Sequence, residues 1–353
     1  MKKNGTRTIA KYFAAANTYW GFKSYFDKVF SSEEYDRIYV LKGGPGTGKS
    51  SFMKKASALL YERGYAIEEI YCSSDINSLD GIIATNGNNK IAIIDGTAPH
   101  ERDAIIPGAI DEILNLGHGW DTSWLATRKR EILDIIREKS LAYKTAYSYL
   151  TLAGHSNDII TNTYKLYFDE TKAKGEAEVY FKDITTSESK IETRLISSFG
   201  KHGYGQLDTL SKIEGKHIRI YGEDLSASMF LSLCKNLLKS KNIGFTHFPC
   251  ALDPTATDAI FITESSIVIE RDSEGEINAD EFVFLPTLDI ERIKKARQIW
   301  RDSIDEAKRW FAIASDLHFR LEKIYGEAMN FQVIDKIFAS TFNEIVNILE
   351  KDT

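Results

Sequence analysis

The alternation of hydrophobic and polar positions predicts an α/β protein in which strands and helices follow each other from residue 37 onward. The β-rich run 37–41 predicts a buried strand, and the helix-forming stretch 51–63 behind it is ended by Gly64. Further strands are predicted at 66–72, 80–85 and 90–95. The last of these has apolar residues directly before Asp95, which is typical of a central strand in a parallel sheet. The predicted fold class is therefore α/β with a parallel sheet.

Two stretches have the three- and four-residue spacing of apolar positions that is found in long amphipathic helices. In the first, the spaced residues are Leu133, Ile136, Tyr143, Tyr147 and Leu150. Gly154 and His155 predict a break there, and a second helical run continues to about Phe181. In the second stretch an uninterrupted heptad pattern runs from Ile293 to Ile324. We therefore predict a long helical hairpin in each half, at about 122–182 and about 288–350.

The second half of the chain repeats the first. Equivalent residues recur at one constant offset, in the pairs Cys72 and Cys250, Asp75 and Asp253, and Asp80 and Asp258. The heptad stretch is repeated as well. The sequence therefore predicts two tandem modules, residues 1–190 and 191–353, that form an intramolecular pseudo-dimer.

A glycine-rich segment joins the first predicted strand to the first predicted helix. Its residues are Gly43, Gly44, Pro45, Gly46, Thr47, Gly48, Lys49, Ser50 and Ser51. Strand, glycine-rich turn and helix in this order are the context of a phosphate-binding loop, in which backbone N–H groups surround phosphate oxygens. In such a loop Lys49 reaches the β- and γ-phosphates, and Ser50 places its hydroxyl on Mg²⁺. The segment predicts a nucleotide site with these residues.

Asp95 is predicted to lie at the carboxyl edge of the sheet, where it would hold Mg²⁺ directly or through water. Gly96 follows at the position where many ATP-hydrolysing motors carry a glutamate that activates water. A hydrolytic base must therefore come from elsewhere, or hydrolysis is slow. Candidate bases nearby are Asp75, His100, Glu101 and Asp103. No Asn-Lys-x-Asp sequence for reading guanine occurs, which favours ATP over GTP.

The repeat departs from the first half where the chemistry is predicted. Residues 221–228 stand in place of the phosphate loop, with Ala227 at the position of Lys49 and with the acids Glu223 and Asp224. The second site is therefore predicted not to bind nucleotide. Residues that could act at the first site from elsewhere are Arg128, Arg130, Arg194 and Lys201. His318 and Glu322, one helical turn apart, either share a metal or form a pair on a helix edge.

Composition limits the partners of this chain. The 353 residues carry a formal net charge of −6, which argues against a general nucleic-acid or anionic-membrane binder. No run of residues is long enough to span a bilayer, and the basic N-terminus lacks the apolar stretch of a signal peptide. The three cysteines lack metal-ligand spacing. We expect a cytoplasmic protein with reduced thiols, and the sequence leaves self-association open.

Several segments together resemble an uncharacterised bacterial family of duplicated P-loop ATPases within the P-loop NTPase superfamily. They are Trp20-Gly21-Phe22, residues 41–51, Cys72-Ser73-Ser74-Asp75, residues 78–81 and residues 95–100. The resemblance implies a P-loop NTPase-like sheet in each half, ATP binding and a role for His100, but it supplies no substrate. Both halves commonly carry phosphate loops in that family, so this chain departs by losing the second.

The leading expectation is a Mg²⁺-dependent ATPase with one working and one degenerate site, whose hairpins carry motion or a protein partner. A small-molecule or nucleotide kinase is the alternative, with Asp75 deprotonating the hydroxyl of the acceptor. An ATP-sensing scaffold without turnover is a third interpretation. The sequence does not identify the partner or the acceptor.

Overall fold

The first half forms a six-stranded mixed sheet in the computed structural model, which describes residues 9–99, 101–187 and 189–351. The sheet order is β1-β5-β6-β7-β4-β8, and β6 is antiparallel to both of its neighbours. The elements are β1 Ala10–Phe13, β2 Ala15–Thr18, β3 Gly21–Ser24, α1 Phe26–Val29, β4 Arg37–Lys42, α2 Lys49–Glu62, β5 Ala66–Tyr71, β6 Leu79–Asn86, β7 Asn89–Asp95, β8 Asp111–Asn115, α3 Thr122–Thr127, α4 Lys129–Leu166 and α5 Glu170–Phe181.

The second half repeats this topology strand for strand. Its six-stranded sheet has the order β9-β13-β14-β15-β12-β16, with β14 antiparallel to both neighbours. The elements are β9 Ile191–Thr193, β10 Ser197–Gly200, β11 Gly203–Gln206, β12 Lys216–Tyr221, α6 Asp224–Ser240, β13 Phe245–Pro249, β14 Thr257–Ile262, β15 Ile267–Arg271, β16 Ile277–Asn278, α7 Thr287–Glu327 and α8 Phe331–Leu349. The structure is therefore consistent with an internally duplicated α/β fold.

The sheets are mixed, so the prediction of a parallel sheet was wrong for one strand in each. Only Gly87 and Asn88 separate β6 from β7, and a connection of this length can join only antiparallel neighbours. Gly87 has φ +60°, the left-handed conformation that such a turn favours. The central pairing of β4 with β7 is parallel, as predicted, and aligns Leu41 with Asp95.

The two halves exchange helices. The last helix, α8, packs on the first sheet, where Ile334 and Phe338 join a core formed by β4, β6, β7 and α2. In return α5 packs on the second sheet, where Ala173, Ala177 and Phe181 contact the core around α6. The division predicted at residue 190 falls directly before β9. Each half therefore contributes a helix to the core of the other.

The two long helices pair across the halves. α4 and α7 run antiparallel, since Ile132 and Ala142 pack with Leu317 and Ile324, while Tyr164 at the other end of α4 packs with Ile293. The predicted hairpins were wrong in this respect, because α4 packs against α7 rather than against α5. The predicted stripe was also wrong at its start, where Ile132 and Ile135 are buried against α7 and Leu133 and Ile136 are exposed. A heptad pattern shows that one helix face is buried, but it does not identify the partner.

The predicted break at Gly154 and His155 was also wrong. α4 is continuous to Leu166 and passes through both residues. A Cβ atom at Gly154 would lie 2.7 Å from Tyr19 Cβ. The glycine is therefore explained by the close approach of the β2–β3 hairpin to α4, and not by the end of a helix.

No helix within the described residues is both long enough and apolar enough to cross a membrane.

We expect Gly154→Ala to destabilise the protein although alanine is the better helix former. Its Cβ would contact Tyr19 Cβ, and overpacking of this kind costs about 1–3 kcal/mol. The matched control is Gly175→Ala in α5, where the new Cβ meets no atom within 4 Å and should add about 0.5–1 kcal/mol of stability. Urea unfolding of both variants measures the difference, and stabilisation by both would contradict the packing described here.

Candidate functional site

The glycine loop, residues 43–50, connects β4 to α2 in the way that the sequence predicts. Gly46 and Gly48 have φ +71° and +86°, conformations that side chains other than glycine rarely adopt. Gly48 is the N-cap of α2, so the loop ends directly on the first turn of a 14-residue helix. Thr47 is buried and closes the loop internally, because its hydroxyl donates to the Gly44 carbonyl at 2.9 Å.

Backbone N–H groups of the loop and of the first turn of α2 have no internal acceptor. Within the part of the chain that the structure describes, no hydrogen bond is donated by the backbone N–H of Gly44, Gly46, Thr47, Gly48, Lys49, Ser50 or Ser51. A helix N-terminus with free N–H groups also carries a partial positive charge. Such a group of donors suits an anion with several oxygen atoms.

The side chain of Lys49 lies beside backbone carbonyl groups of the same loop. Its Nζ atom donates to the carbonyls of Gly43 and Gly44 at 2.8 and 2.9 Å, and lies 3.7 Å from Asp95 Oδ2. The side chain is 12% exposed. The ammonium group is therefore held beside the loop by weak acceptors that a phosphate could replace.

Two carboxylates face each other next to Lys49. Gly81 pairs with Ile94 between β6 and β7, so Asp80 and Asp95 occupy the next opposing positions of the ladder. Burial raises the pKa of Asp95, and the charge of Asp80 raises it further, against the opposing effects of Lys49 and Thr97. Thr97 donates to Asp95 Oδ1 through its N–H and its hydroxyl. The raised pKa of Asp95 means that a divalent cation beside it would stabilise its ionised form.

Ser50 is close to the strand that carries Asp80. Its Oγ atom accepts the N–H of Leu79 at 3.0 Å, which fixes the hydroxyl at the start of β6. Among the described residues no group of three or more His, Cys, Asp and Glu side chains could hold a metal alone. A cation here would complete its coordination with ligand and water oxygens, as Mg²⁺ commonly does.

The junction between α7 and α8 covers the glycine loop. A Cβ atom at Gly46 would lie 2.3 Å from the Glu322 carbonyl oxygen, and one at Gly48 would lie 3.5 Å from the ring of Phe331. Gly44 faces the ring of Trp120, whose indole N–H is buried and has no partner among the described residues. Glycine at these positions thus also permits contact with the second half of the chain.

A cluster of charged residues from both halves surrounds the covered loop. Lys201, in the turn between β10 and β11, contacts Asp75 with 2.7 Å between Nζ and Oδ2. Burial raises the pKa of Asp75, but the contacts with Lys201 and Asn77 outweigh this effect and hold the pKa below its usual value. Asp75 is therefore a weak base in this arrangement.

His318 and Glu322 belong to the same cluster. Burial, Lys139 and Lys49 lower the pKa of His318 to about 4, so the imidazole is neutral at pH 7. Burial and the charge of Asp75 raise the pKa of Glu322, while Lys49 and other lysines oppose this rise. His318 Nε2 lies 3.6 Å from Glu322 Oε1, which agrees with the side-chain pair that the sequence left open.

The corresponding loop of the second half is filled by its own side chains. The Asp280 carboxylate accepts the backbone N–H of Glu223 at 3.0 and 3.1 Å. In the first half an anion would occupy the corresponding position. The matching residue of the first half is Gly117, since Asp280 and Gly117 both follow an Asx turn, at Asn278 and Asn115. α6 begins at Asp224, so residues 226–228 are helical and form no loop.

Arg271 takes the place of Asp95 in the second half. Leu41 pairs with Asp95 in the first sheet, and Ile220 pairs with Arg271 in the second. The guanidinium Nη2 atom of Arg271 lies 2.8 Å from Asp258 Oδ1, and Asp258 is the counterpart of Asp80. In the second half the guanidinium group of Arg271 thus neutralises Asp258, whereas a cation would have this role beside Asp80 and Asp95 in the first half.

The other predicted residues lie away from this cluster or outside the described residues. His100 is outside the described residues. Arg128 pairs with Glu131 and Arg130 lines an open groove of about 500 Å³, while Arg194 pairs with Glu68 and Glu192. Asp103 is exposed and pairs with Lys42. The structure brings together Lys49, Ser50, Asp75, Asp95 and Lys201 from the predicted set.

Sequence reasoning missed Asp80, Lys139, Trp120 and Asp280 as members of the two sites. Asp80 had a signal, because it recurs as Asp258 in the repeat. The Asn-x-Asp and Asn-x-Gly turns at 278–280 and 115–117 were a second signal for the difference between the halves.

Comparison of the chain with protein-family models, with curated proteins and with solved structures returned no match. The class that the fold defines is an α/β protein with two duplicated mixed sheets. Any statement about its function depends on the geometry of the glycine loop and its surroundings.

We expect Asp95→Asn to fold at least as stably as the unmodified protein. The raised pKa of Asp95 means that folding disfavours its ionised form, so a neutral amide removes an unfavourable charge. Thermal melting in the absence of metal measures the effect.

The matched variant in the second half is Asp258→Asn, which should lower stability. It leaves the largely buried guanidinium of Arg271 without its closest acid, and breaking such a pair costs about 3 kcal/mol. Equal melting temperatures for the two variants would contradict the proposed difference in charge between the halves.

Proposed function

We propose that the glycine loop binds the phosphates of Mg·ATP and that the protein is a slow Mg²⁺-dependent ATPase with one working nucleotide site. The observation that carries the proposal is the set of backbone N–H groups at residues 44 and 46–51 that find no acceptor among the described residues, beside the Lys49 ammonium group. Phosphate oxygens satisfy such donors, and the helix N-terminus favours their charge. On binding, Lys49 would exchange the carbonyls of Gly43 and Gly44 for the β- and γ-phosphates.

Mg²⁺ fits the carboxylate of Asp95 next to this loop, because the ion would stabilise the ionised form that burial disfavours. Asp80 and Asp95 face each other across the ladder, and Ser50 is fixed at the start of β6. Ser50 and Asp95 would hold the ion, directly or through water, together with phosphate oxygens. The ion supplies charge neutralisation for the terminal phosphate.

The second half is proposed to bind no nucleotide. The Asp280 carboxylate accepts the backbone N–H of Glu223 in the shorter loop of the second half. Ala227, which stands at the position of Lys49, lies inside α6 and carries no cationic group. A phosphate entering here would meet the carboxylates of Asp280 and Asp224. In this respect the chain would depart from the duplicated P-loop ATPases that it resembles, because both halves commonly carry phosphate loops in that family.

The kinase alternative would need Asp75 as a base, and in the ligand-free arrangement the contact with Lys201 lowers the pKa of Asp75. The fold also excludes a water-activating glutamate after Asp95, because a Cβ at Gly96 would lie 2.4 Å from Val40 Cγ1 and 2.9 Å from the Arg102 carbonyl oxygen. Turnover is therefore expected to be slow, and a sensor without turnover is its limiting case.

The test is phosphate release from Mg·ATP, together with ATP affinity, for the unmodified protein and for Lys49→Ala. Loss of a charge-assisted contact of about 1.5–3 kcal/mol should weaken ATP binding about 10- to 150-fold and abolish release. Lys174→Ala, an exposed lysine of α5, is the control and should change neither quantity.

Unchanged ATP affinity in folded Lys49→Ala would contradict the proposal that the glycine loop binds the phosphates of ATP. Tight binding without release would support the nucleotide site but contradict the ATPase activity. Transfer of the γ-phosphate to an added acceptor metabolite, with ADP formed and no free phosphate, would establish the kinase instead.

A further inference from the structure

We propose that Lys201, supplied by the second half, binds the terminal phosphate of the nucleotide in the first half and so distinguishes ATP from ADP. This inference rests on the proposed function of the glycine loop. It makes Lys201 a ligand-binding residue that acts across the two halves, and it gives the Asp75–Lys201 contact a role as the resting partner of that lysine.

The turn that carries Lys201 is held firmly against the first half. Gly200 packs so closely on the backbone that a Cβ there would lie 3.0 Å from the Ser74 carbonyl oxygen and 3.2 Å from that of Ser73. The side-chain amide of Asn17 donates to the Phe199 carbonyl at 2.7 Å. The lysine therefore projects from a fixed base, and only its flexible side chain has to move.

Asp75, the present partner of Lys201, belongs to a segment that contacts the start of α2. The N–H of Ser78 donates to the Asp75 carbonyl, and the next residue, Leu79, donates to Ser50 Oγ at 3.0 Å. Lys54 on α2 also contacts the Asn77 carbonyl. This segment thus connects Lys201 to the residue proposed to hold Mg²⁺.

Lys201 and Lys49 act on the same two side chains of α7. Both lysines lower the pKa of Glu322, and both lower the pKa of His318. The backbone of α7 at Glu322 contacts the loop directly at Gly46, so a residue that both ammonium groups affect stands at the loop itself. A terminal phosphate held by Lys49 would therefore be within reach of a second lysine.

The other hairpin provides a natural comparison. β2–β3 makes the same contact with the second half, where the N–H of Tyr19 donates to the Leu252 carbonyl. The turns match, since Thr18 pairs with Gly21 as Gly200 pairs with Gly203, and Tyr19 therefore stands where Lys201 stands. At this turn position a positive charge is present only in the hairpin that reaches the glycine loop.

A terminal phosphate can take Lys201 from Asp75 because it carries more charge and more acceptor oxygens than a carboxylate. ADP lacks this group, so Lys201 would stay on Asp75 when ADP is bound. The Asp75–Lys201 contact is half-buried, with side chains 37% and 22% exposed, and such contacts are weak enough to exchange.

The experiment measures the affinities of Mg²⁺ complexes of ADP and of a non-hydrolysable ATP analogue by calorimetry. Lys201→Ala should weaken the triphosphate about 10- to 150-fold and leave the diphosphate nearly unchanged. Asp75→Asn should tighten the triphosphate, because it frees Lys201. His202→Ala, an exposed neighbour in the same turn, controls for damage to the hairpin and should change neither affinity.

Equal losses for both nucleotides in Lys201→Ala, or weaker triphosphate binding in Asp75→Asn, would show that the pair only anchors the hairpin. Those results overturn this inference and leave the proposed function intact. If the unmodified protein binds neither nucleotide, both proposals fail. Thermal melting of each variant separates an effect on binding from a loss of fold.

Discussion

The close packing of α7 against the glycine loop is the contact on which the rest of the structure depends. The Glu322 carbonyl lies where a side chain at Gly46 would be, so the loop and the helix can meet only through glycine. α7 is held in this position by its antiparallel pairing with α4, and α8 continues from it onto the first sheet. A site made of residues 43–50 is therefore built from both halves, and a change in it would be transmitted directly to the paired helices.

The two halves have similar folds, but the charged groups at corresponding positions differ. In the first half, two acids face each other beside Lys49, and the loop N–H groups have no acceptor in the described part of the chain. In the second half, Arg271 neutralises Asp258 and the Asp280 carboxylate accepts the loop N–H. A phosphate and a divalent cation fit the first arrangement, whereas the second is complete without a ligand. The second half has a structural role at the first site, because its β10–β11 hairpin and the helices α7 and α8 cover this site.

Local features were predictable from the sequence, and the exchange between halves was not. Strand, glycine loop and helix follow from residues 37–63 because each signal acts within a few residues. Gly154 was misread because a glycine that ends a helix and one that admits a neighbouring hairpin look alike in sequence. The partner of the α4 stripe could not be read from its periodicity. The cluster of Asp75, Lys201, His318 and Glu322 depends on that partner, so it emerged only in three dimensions.

Backbone hydrogen exchange, measured by residue with and without Mg·ATP, tests the central claim most directly. If phosphates bind the free donors, exchange should slow at residues 44 and 46–51, whose N–H groups have no internal acceptor among the described residues. The counterpart segment 222–228 should not respond, because its loop is filled by Asp280. An unchanged exchange rate at 44–51 under saturating Mg·ATP, or equal protection of both segments, would contradict the account.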